Sequence, residues 1–456
     1  MKRLVCVFIA SVFLLSACSR EANLLEPSPQ PAGAHVSIIE TETVTGGKET
    51  PASTSASVAK AEPNTVFRYP DPMPSSMDYP VPEEDLLIPL DYVREHMTVL
   101  DMDYSSEEAI EAIDAIFDQY DIFLTGENHA VKANFQIQEY FIHYFYEKHG
   151  VRYFVLEDAY CSAELMNEYL RTGDETIIDL IISGLQSSAP SAASNEYVTF
   201  YHNLYHFNVG LPENEKIMIL GVDIQHQKKA GDVYIKRLLP EADAPLEIKD
   251  SIDRLKGRDG YSGALLYDIM NDMKQNERYY AEYLGDRFFY FRLGIESILQ
   301  SYECYRDDKK FNLLRECAYV NNFMALWEHY GRPKVYGNIG GSHADSYDIT
   351  GRFYHDFTFA SYLQHDFPGT KDRVFNIKIL YDNCFTIYSG KEQAVHTSPL
   401  VTAQEVSADP SKFVFVDVSA EDSPVWIEEA DRSYYNYGFM GYIVVYDSPA
   451  STPYQQ

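Results

Sequence analysis

Tyr120-Asp121-Ile122-Phe123-Leu124-Thr125-Gly126-Glu127-Asn128-His129 is the stretch on which the fold turns: a short apolar run that ends in a glycine, an acid and an imidazole. A run apolar at both odd and even positions suits a strand covered on both faces, as in a parallel sheet. Three further runs have the same form: Tyr153-Phe154-Val155-Leu156, Ile217-Met218-Ile219-Leu220-Gly221-Val222 and Val335-Tyr336-Gly337-Asn338-Ile339. Helical patterns lie between them, over 134–149, 162–171 and 195–208, with a long helical block from Leu246 to Tyr330. Strands alternating with helices predict an α/β fold with a central, mostly parallel sheet flanked by helices and joined by right-handed crossovers. After residue 370, Val374–Leu380, Cys384–Tyr388, Phe413–Val418 and Tyr442–Tyr446 read as extra C-terminal strands finishing one edge of the sheet. The helical block, about 244–331, reads as an insertion, and its aromatic part (Tyr279-Tyr280, Phe288-Phe289-Tyr290-Phe291) reads as a lid.

Ligands of open parallel sheets bind beyond the carboxyl ends of the strands. The first strand is followed by Gly126-Glu127-Asn128-His129 and the second by Glu157-Asp158. The third is followed by Asp223-Ile224-Gln225-His226 and the fourth by Gly340-Gly341-Ser342-His343. One histidine or carboxylate at a strand end is commonly a cap or a surface group. Four successive ends that carry such groups predict one pocket, with Glu127, His129, Glu157, Asp223 and His343 inside it and His226 at its rim. Arg315, near the start of the helix before the fourth strand, is placed to pin a pocket carboxylate or to stabilise an oxyanion. His143, His149, His202, His206 and His329 fall in helical stretches and read as structural.

The chain begins with Lys2-Arg3, an apolar run from Leu4 to Leu15, and Leu15-Ser16-Ala17-Cys18, which predicts a lipoprotein signal peptide over 1–17 and lipid on Cys18. The apolar run is about a dozen residues, short of the roughly 20 that cross a bilayer. The expected location is therefore the bacterial cell envelope, with the protein anchored by lipid to the outer face of a membrane. Residues 18–84 are rich in Ser, Thr, Pro and Ala and read as a disordered tether with a reach of roughly 45 Å. The composition becomes dense in aromatic and apolar residues over 85–456, the length of one large domain. The whole chain has 37 basic and 69 acidic residues, a net charge of −32. Such a surface repels nucleic acid and leaves a small molecule as the expected partner. Beyond the signal and Cys18, the cysteines are Cys161, Cys304, Cys317 and Cys384, without a CxxC pair or a metal-finger spacing. Each reads as a small buried thiol, with a disulfide open to an exported chain.

These motifs resemble the erythromycin esterase-like proteins, a superfamily shared with the haem-binding ChaN and Tiki-type proteins. The resemblance runs from Phe123 to His343. It is carried by Leu124-Thr125-Gly126-Glu127-Asn128-His129, Glu147-Lys148-His149-Gly150 and Val155-Leu156-Glu157, then by Ala163-Glu164-Leu165-Met166-Asn167-Glu168-Tyr169-Leu170 and Gly221-Val222-Asp223-Ile224-Gln225. Arg315-Glu316 with Asn322, and Gly341-Ser342-His343, complete it. It implies that His129 is the general base that activates water, that Glu127 is its acidic neighbour, and that Glu157, His343 and Arg315 complete the site, with Asp223, His226 and Asn322 toward the substrate. The single-residue spacer Asn128, with Ala133 and Gln138 on the following helix, departs from the esterases and leans toward the ChaN pattern.

Three functions stay open. The first is an extracytoplasmic hydrolase in which a neutral imidazole, near its reference pKa of about 6.5, takes a proton from water that attacks an ester or lactone. No GxSxG nucleophile elbow is present. The second is a metal-dependent hydrolase, with a divalent ion on His129, Glu157 and His343 beside Glu127. The third is a non-enzymatic receptor for haem or another ligand, with some of the 37 tyrosines lining a groove rather than packing a core.

Overall fold

The computed structural model describes residues 88–346, 358–388, 390–395, 409–429, 432–435 and 438–455. The chain divides after Thr65 into two units, and every described residue falls in the second. The signal at 1–17, Cys18 and the tether over 18–84 lie outside the described residues. No helix among the described residues is long and apolar enough to cross a membrane.

The strands are β1 (Met97–Asp101), β2 (Ile122–Glu127), β3 (Tyr153–Ala159), β4 (Met218–Asp223), β5 (Val335–Gly340), β6 (Val374–Asp382), β7 (Phe385–Tyr388), β8 (Lys391–Ala394), β9 (Lys412–Asp417), β10 (Trp426–Glu429), β11 (Arg432–Tyr435) and β12 (Gly441–Tyr446). Eight of them form one sheet in the order β1-β9-β12-β6-β2-β5-β3-β4. From β12 to β4 all neighbours run parallel, while β9 is antiparallel to both β12 and β1. The fold is thus the α/β architecture that the alternating pattern predicts. Every residue of β5 and β12 is buried, as strands covered on both faces require.

The C-terminal strands differ in place from the expectation. β6 lies inside the sheet, between β12 and β2, because it is apolar on both faces and finds cover only there. The half-exposed β7 leaves the sheet and pairs with β8 as a separate hairpin. β12 and β9 do extend that side of the sheet, and its outermost strand is the unpredicted β1, whose Met97-Thr98-Val99-Leu100 is only five residues long with Asp101.

The helices are α1 (Leu90–His96), α2 (Glu107–Phe117), α3 (Ala133–His149), α4 (Tyr160–Thr172), α5 (Glu175–Ser188), α6 (Asn195–Val209), α7 (Lys228–Leu238), α8 (Lys249–Lys256), α9 (Gly263–Gln275), α10 (Glu277–Leu284), α11 (Phe288–Cys304), α12 (Phe311–His329) and the single turn α13 (Gly341–Ala344). α3 stops where Gly150 takes a left-handed conformation, φ 65°, and its amide returns to Phe145 O. α4 and α12 pack against β4. Phe117, Phe123 and Phe145 form the aromatic centre between α2, α3 and β2, with ring centroids 4.1 to 5.6 Å apart. Tyr144, Tyr160, Tyr169, Tyr201, Tyr280, Tyr319, Tyr336, Tyr362 and Tyr442 are fully buried, so much of the tyrosine content packs the core instead of lining a groove. The four cysteines are buried, and no disulfide joins them.

The expected lid lies elsewhere. Phe289 stacks on His329, centroids 3.9 Å apart, at the carboxyl end of α12, whereas Arg315 lies near its amino end. Fourteen residues at 1.5 Å rise separate the two by roughly 21 Å. The helical packing of α11 along α12 carries the aromatic cluster away from the strand ends.

Candidate active site

Parallel pairing sets the site. Glu127 at the end of β2 is in register with Gly340 of β5, and Thr125 with Asn338. One polar chain climbs this seam. The Tyr336 hydroxyl lies 2.8 Å from Thr125 Oγ1, which donates to Asn338 Oδ1 at 2.7 Å. Asn338 Nδ2 donates to Glu127 Oε2 at 2.8 Å, and Glu127 Oε1 lies 3.0 Å from His129 Nδ1. The carboxylate therefore fixes the ring with Nδ1–H toward it, which leaves Nε2 on the side of Glu157.

β3 presents Glu157 through an irregularity. Leu156 pairs with Gly221 and Ala159 with Asp223, so β3 carries one extra residue against β4 at Glu157-Asp158. A bulge of this kind re-aims side chains. Glu157 turns to the seam, where Oε2 accepts the Gly340 amide at 2.6 Å and lies 3.7 Å from His129 Nε2. Asp158 instead accepts the Tyr201 hydroxyl at 2.6 Å, and burial pushes its carboxyl up to about 6 against that bond. A Cβ on Gly340 would sit 2.9 Å from Glu157 Oε2 and 3.2 Å from His129 Nε2, so only glycine lets this amide come so close.

Arg315 binds the second layer together. Its Nε donates to Asp223 Oδ1 at 2.8 Å and its Nη2 to Asp223 Oδ2 at 2.6 Å, to Glu157 Oε1 at 2.7 Å and to Tyr319 OH at 3.2 Å. Of the two roles foreseen for this arginine, the geometry realises the carboxylate pin. Asp223 also accepts the Ile224 amide and lies 3.1 Å from His226 Nε2, while His226 Nδ1 meets the Tyr305 hydroxyl at 2.6 Å. His343 projects from α13 with Nδ1 hydrogen-bonded to Glu316, Nε2 3.6 Å from Glu157 Oε1, and its ring stacked on Tyr319. Glu316 Oε2 accepts the Phe359 amide at 2.6 Å.

Burial opposes charge on these groups, least on His129, whose side chain is largely exposed, and their partners outweigh it. Glu157 and Glu127 raise the His129 pKa to about 9, and Glu316 and Glu157 raise that of His343 to about 10. Glu157 is held well below the usual carboxylate range by His129, His343 and Arg315, and Asp223 is held low by Arg315 and His226. The imidazole at His129 is thus mostly charged at neutral pH, in contrast to the neutral ring expected from its reference value.

The sequence-derived residues therefore converge, but unequally. The His129 side chain is 60% exposed, against 15% for Glu127 and Glu157, 14% for Arg315 and 24% for His226. Asp223, at 3%, was expected to face a substrate and is enclosed by Arg315, His226 and a backbone amide. Asn322 is likewise enclosed: it is fully buried and donates to Val222 O at 2.9 Å, tying α12 to β4. His343, at 5%, supports the site from below. The residues of the expected metal set lie close together but are engaged with other partners. Glu157 turns its oxygens to a guanidinium and an amide, Glu127 to Asn338 and His129, and no group of three or more His, Cys, Asp or Glu among the described residues is placed to hold a metal ion. A cavity of about 460 Å³, lined by Phe289, Arg292, Asn321 and Glu328 among others, shares no lining residue with this network.

Three contributors were not read from sequence. Asn338 and Thr125 were detectable as the polar residues within otherwise apolar strand runs. Glu316 adjoins Arg315, but its pairing with His343 joins elements 27 residues apart and has no local signature.

No family model matches the sequence, and no curated protein does either. Solved structures do match the fold. A protein from Bacillus cereus aligns with a TM-score of 0.63 and 14% identity over 80% of this chain and 98% of that one. A succinoglycan biosynthesis protein aligns at 0.61 and 12% identity, over 80% and 98% of the two chains. A histidine-to-asparagine mutant of the erythromycin esterase EreC, in its open conformation, aligns at 0.57 and 12% identity, over 79% and 100%. The chain thus has the fold of the erythromycin esterases, as its motifs implied. The haem-binding ChaN of Campylobacter jejuni aligns only at 0.29, a likeness too loose to carry a functional argument.

Proposed function

We propose that this protein is a hydrolase in which His129 activates water to attack an ester, a lactone or a related bond of a small molecule. One observation carries the reading: within a buried network of acids, arginine and histidines, the His129 side chain alone is largely open to solvent, with Nδ1 fixed by Glu127 and Nε2 near Glu157 as the nitrogen left to take a proton from water. In its neutral form the ring accepts the water proton at Nε2 as the oxygen attacks the carbonyl carbon; the adduct then collapses with cleavage of the acyl C–O bond, and the imidazolium returns the proton to the leaving oxygen. The imidazolium so formed is stabilised by Glu127 at one nitrogen and Glu157 near the other. The same two acids keep the resting ring charged, which makes it a stronger base but a scarcer one at neutral pH. The likeness in fold to an erythromycin esterase supports this class of chemistry. The site is proposed to work outside the cytoplasm, on a chain tethered through lipid on Cys18, a reading supported by Leu15-Ser16-Ala17-Cys18 and tested by fatty-acid labelling of the wild type beside Cys18→Ser.

A panel of aryl esters, lactones and a macrolide, with His129→Ala and a chelator-treated sample alongside, tests the reading. Turnover that survives chelation and is lost in the variant supports it. A panel without turnover by folded wild-type protein overturns it.

A further inference from the structure

The loop that carries His129 is held largely by chain from beyond residue 380. The Asn128 amide donates to Tyr381 OH at 3.0 Å, and Asn134 joins the two by donating to Asn128 O while accepting from Tyr381. His129 O accepts Thr386 Oγ1 at 2.5 Å. Ala130 O accepts the Ser451 amide at 2.8 Å, and Val131 bridges Ala450 in antiparallel fashion. The Lys132 amide donates to Pro449 O at 3.0 Å, and the Ala133 amide to Ser448 Oγ at 3.0 Å.

Two features show why the loop needs this support. Ala130, next to His129, has φ 60°, a left-handed conformation that a residue with a Cβ adopts unfavourably without outside restraint. α3 begins straight afterwards with Lys132 at its N-cap position and no side-chain cap of its own, which leaves the Lys132 and Ala133 amides to find partners elsewhere. Ser448 and Pro449 fill that vacancy from more than 300 residues away. The same segment is fixed on its other side. Pro453 bridges Ser194, Thr452 O accepts the Asn195 amide at 2.9 Å, and the Thr452 amide donates to Glu196 Oε2 at 2.7 Å.

We infer that the segment Ser448–Tyr454, together with Thr386, is a clamp that positions His129: it holds the His129 loop in its strained conformation and so keeps the imidazole between Glu127 and Glu157. The inference rests on the proposed role of His129, but the clamp can be read without any substrate. The residues concerned are positioning residues, since none contacts the ring nitrogens.

The test uses the full chain with Thr386→Val, which removes the bond to His129 O and keeps the shape, Thr386→Ser, which keeps the hydroxyl, and Ser451→Pro, which removes the amide that Ala130 O accepts. The His129 ring is titrated by NMR in each. With the clamp weakened, the ring moves off its two carboxylates, so the midpoint in Thr386→Val and Ser451→Pro falls toward the ordinary histidine value, and Thr386→Ser restores it. On any ester that the wild type turns over, kcat falls about tenfold in Thr386→Val with KM little changed, as expected for a displaced catalytic group. An unmoved midpoint in folded Thr386→Val overturns the clamp, whether or not Ser451→Pro folds. A moved midpoint in a protein that hydrolyses nothing upholds the clamp and removes the hydrolase reading instead.

Discussion

His129 and His343 face one acid from two sides. The Nε2 of His129 is 3.7 Å from Glu157 Oε2 and that of His343 is 3.6 Å from Glu157 Oε1. Each gives its Nδ1 to a second acid, Glu127 for the first and Glu316 for the second. The chemistry of their partners is the same, and both pKa values are raised. Access is what separates them most, at 60% against 5% side-chain exposure, with the His343 ring also stacked on Tyr319. The buried ring can hold a carboxylate in place but cannot meet a substrate, whereas the open ring can exchange a proton with water. Identical pairing therefore yields a structural residue in one place and a candidate base in the other.

Replacing each histidine by alanine breaks the comparison most directly. His129→Ala is expected to lower turnover by roughly 10²- to 10⁴-fold, the range for a lost general base, and to cost less stability than His343→Ala, because solvent screens the exposed ring's pairing with its two acids. His343→Ala strands Glu316 in the core, and a buried group that loses its ionic partner costs about 3–5 kcal/mol, read from denaturant unfolding. Equal stability losses in the two variants would show that exposure is not what separates them.

Arg315→Met should resemble His343→Ala, because it strips Asp223 and Glu157 of their shared cation. A loss of about 3–5 kcal/mol in the same unfolding assay is expected, on the same reasoning. A variant as stable as the wild type would mean that water reaches the network freely.

pH sharpens the contrast. His343 has a raised folded pKa, so its stabilisation is fully present below its unfolded value near 6.5 and is lost as pH rises through about 10. Glu157 and Asp223 have depressed values, so their contribution is present above the unfolded carboxylate range and is lost as pH falls toward their folded values. Unfolding free energy should decline at both extremes. The His129 ring reports through activity: kcat/KM rises with pH toward about 9 as the neutral ring appears, and Glu127→Gln moves that rise to lower pH. A profile centred on an ordinary histidine value would remove the two-carboxylate description.

The smallest effect is expected from Gly340→Ala. The added methyl presses on Glu157 Oε2 and His129 Nε2, with an overpacking cost of about 1–3 kcal/mol. Turnover should fall while His343 stays in place, which is visible as an unchanged alkaline limb of stability.

The strand ends were legible because parallel strands buried on both faces leave continuous apolar runs, and a polar group after such a run is conspicuous. Glu127, His129 and Glu157 were found in that way, and Arg315 from its place near the start of the helix before the fourth strand, and the structure brings them together. The misjudged positions share one cause. Asp223 and His343 follow the same pattern and Asn322 came with the resemblance, yet the exposure of all three depends on how α12 packs, whose Arg315, Glu316 and Tyr319 cover the far side of the sheet end. The aromatic block was misplaced for a similar reason, since apolar rings mark burial without telling which end of a helix they cover.

By itself the sequence determined the alternation of strands and helices, the parallel sheet and the identity of the groups at its carboxyl ends, since each follows from local periodicity and from what succeeds a run. Tertiary structure alone decided which histidine meets solvent, which acid pairs with which cation, and that the last residues of the chain hold the His129 loop. Those outcomes depend on contacts between elements tens to hundreds of residues apart, and no local pattern encodes the distance between two side chains that only folding brings together.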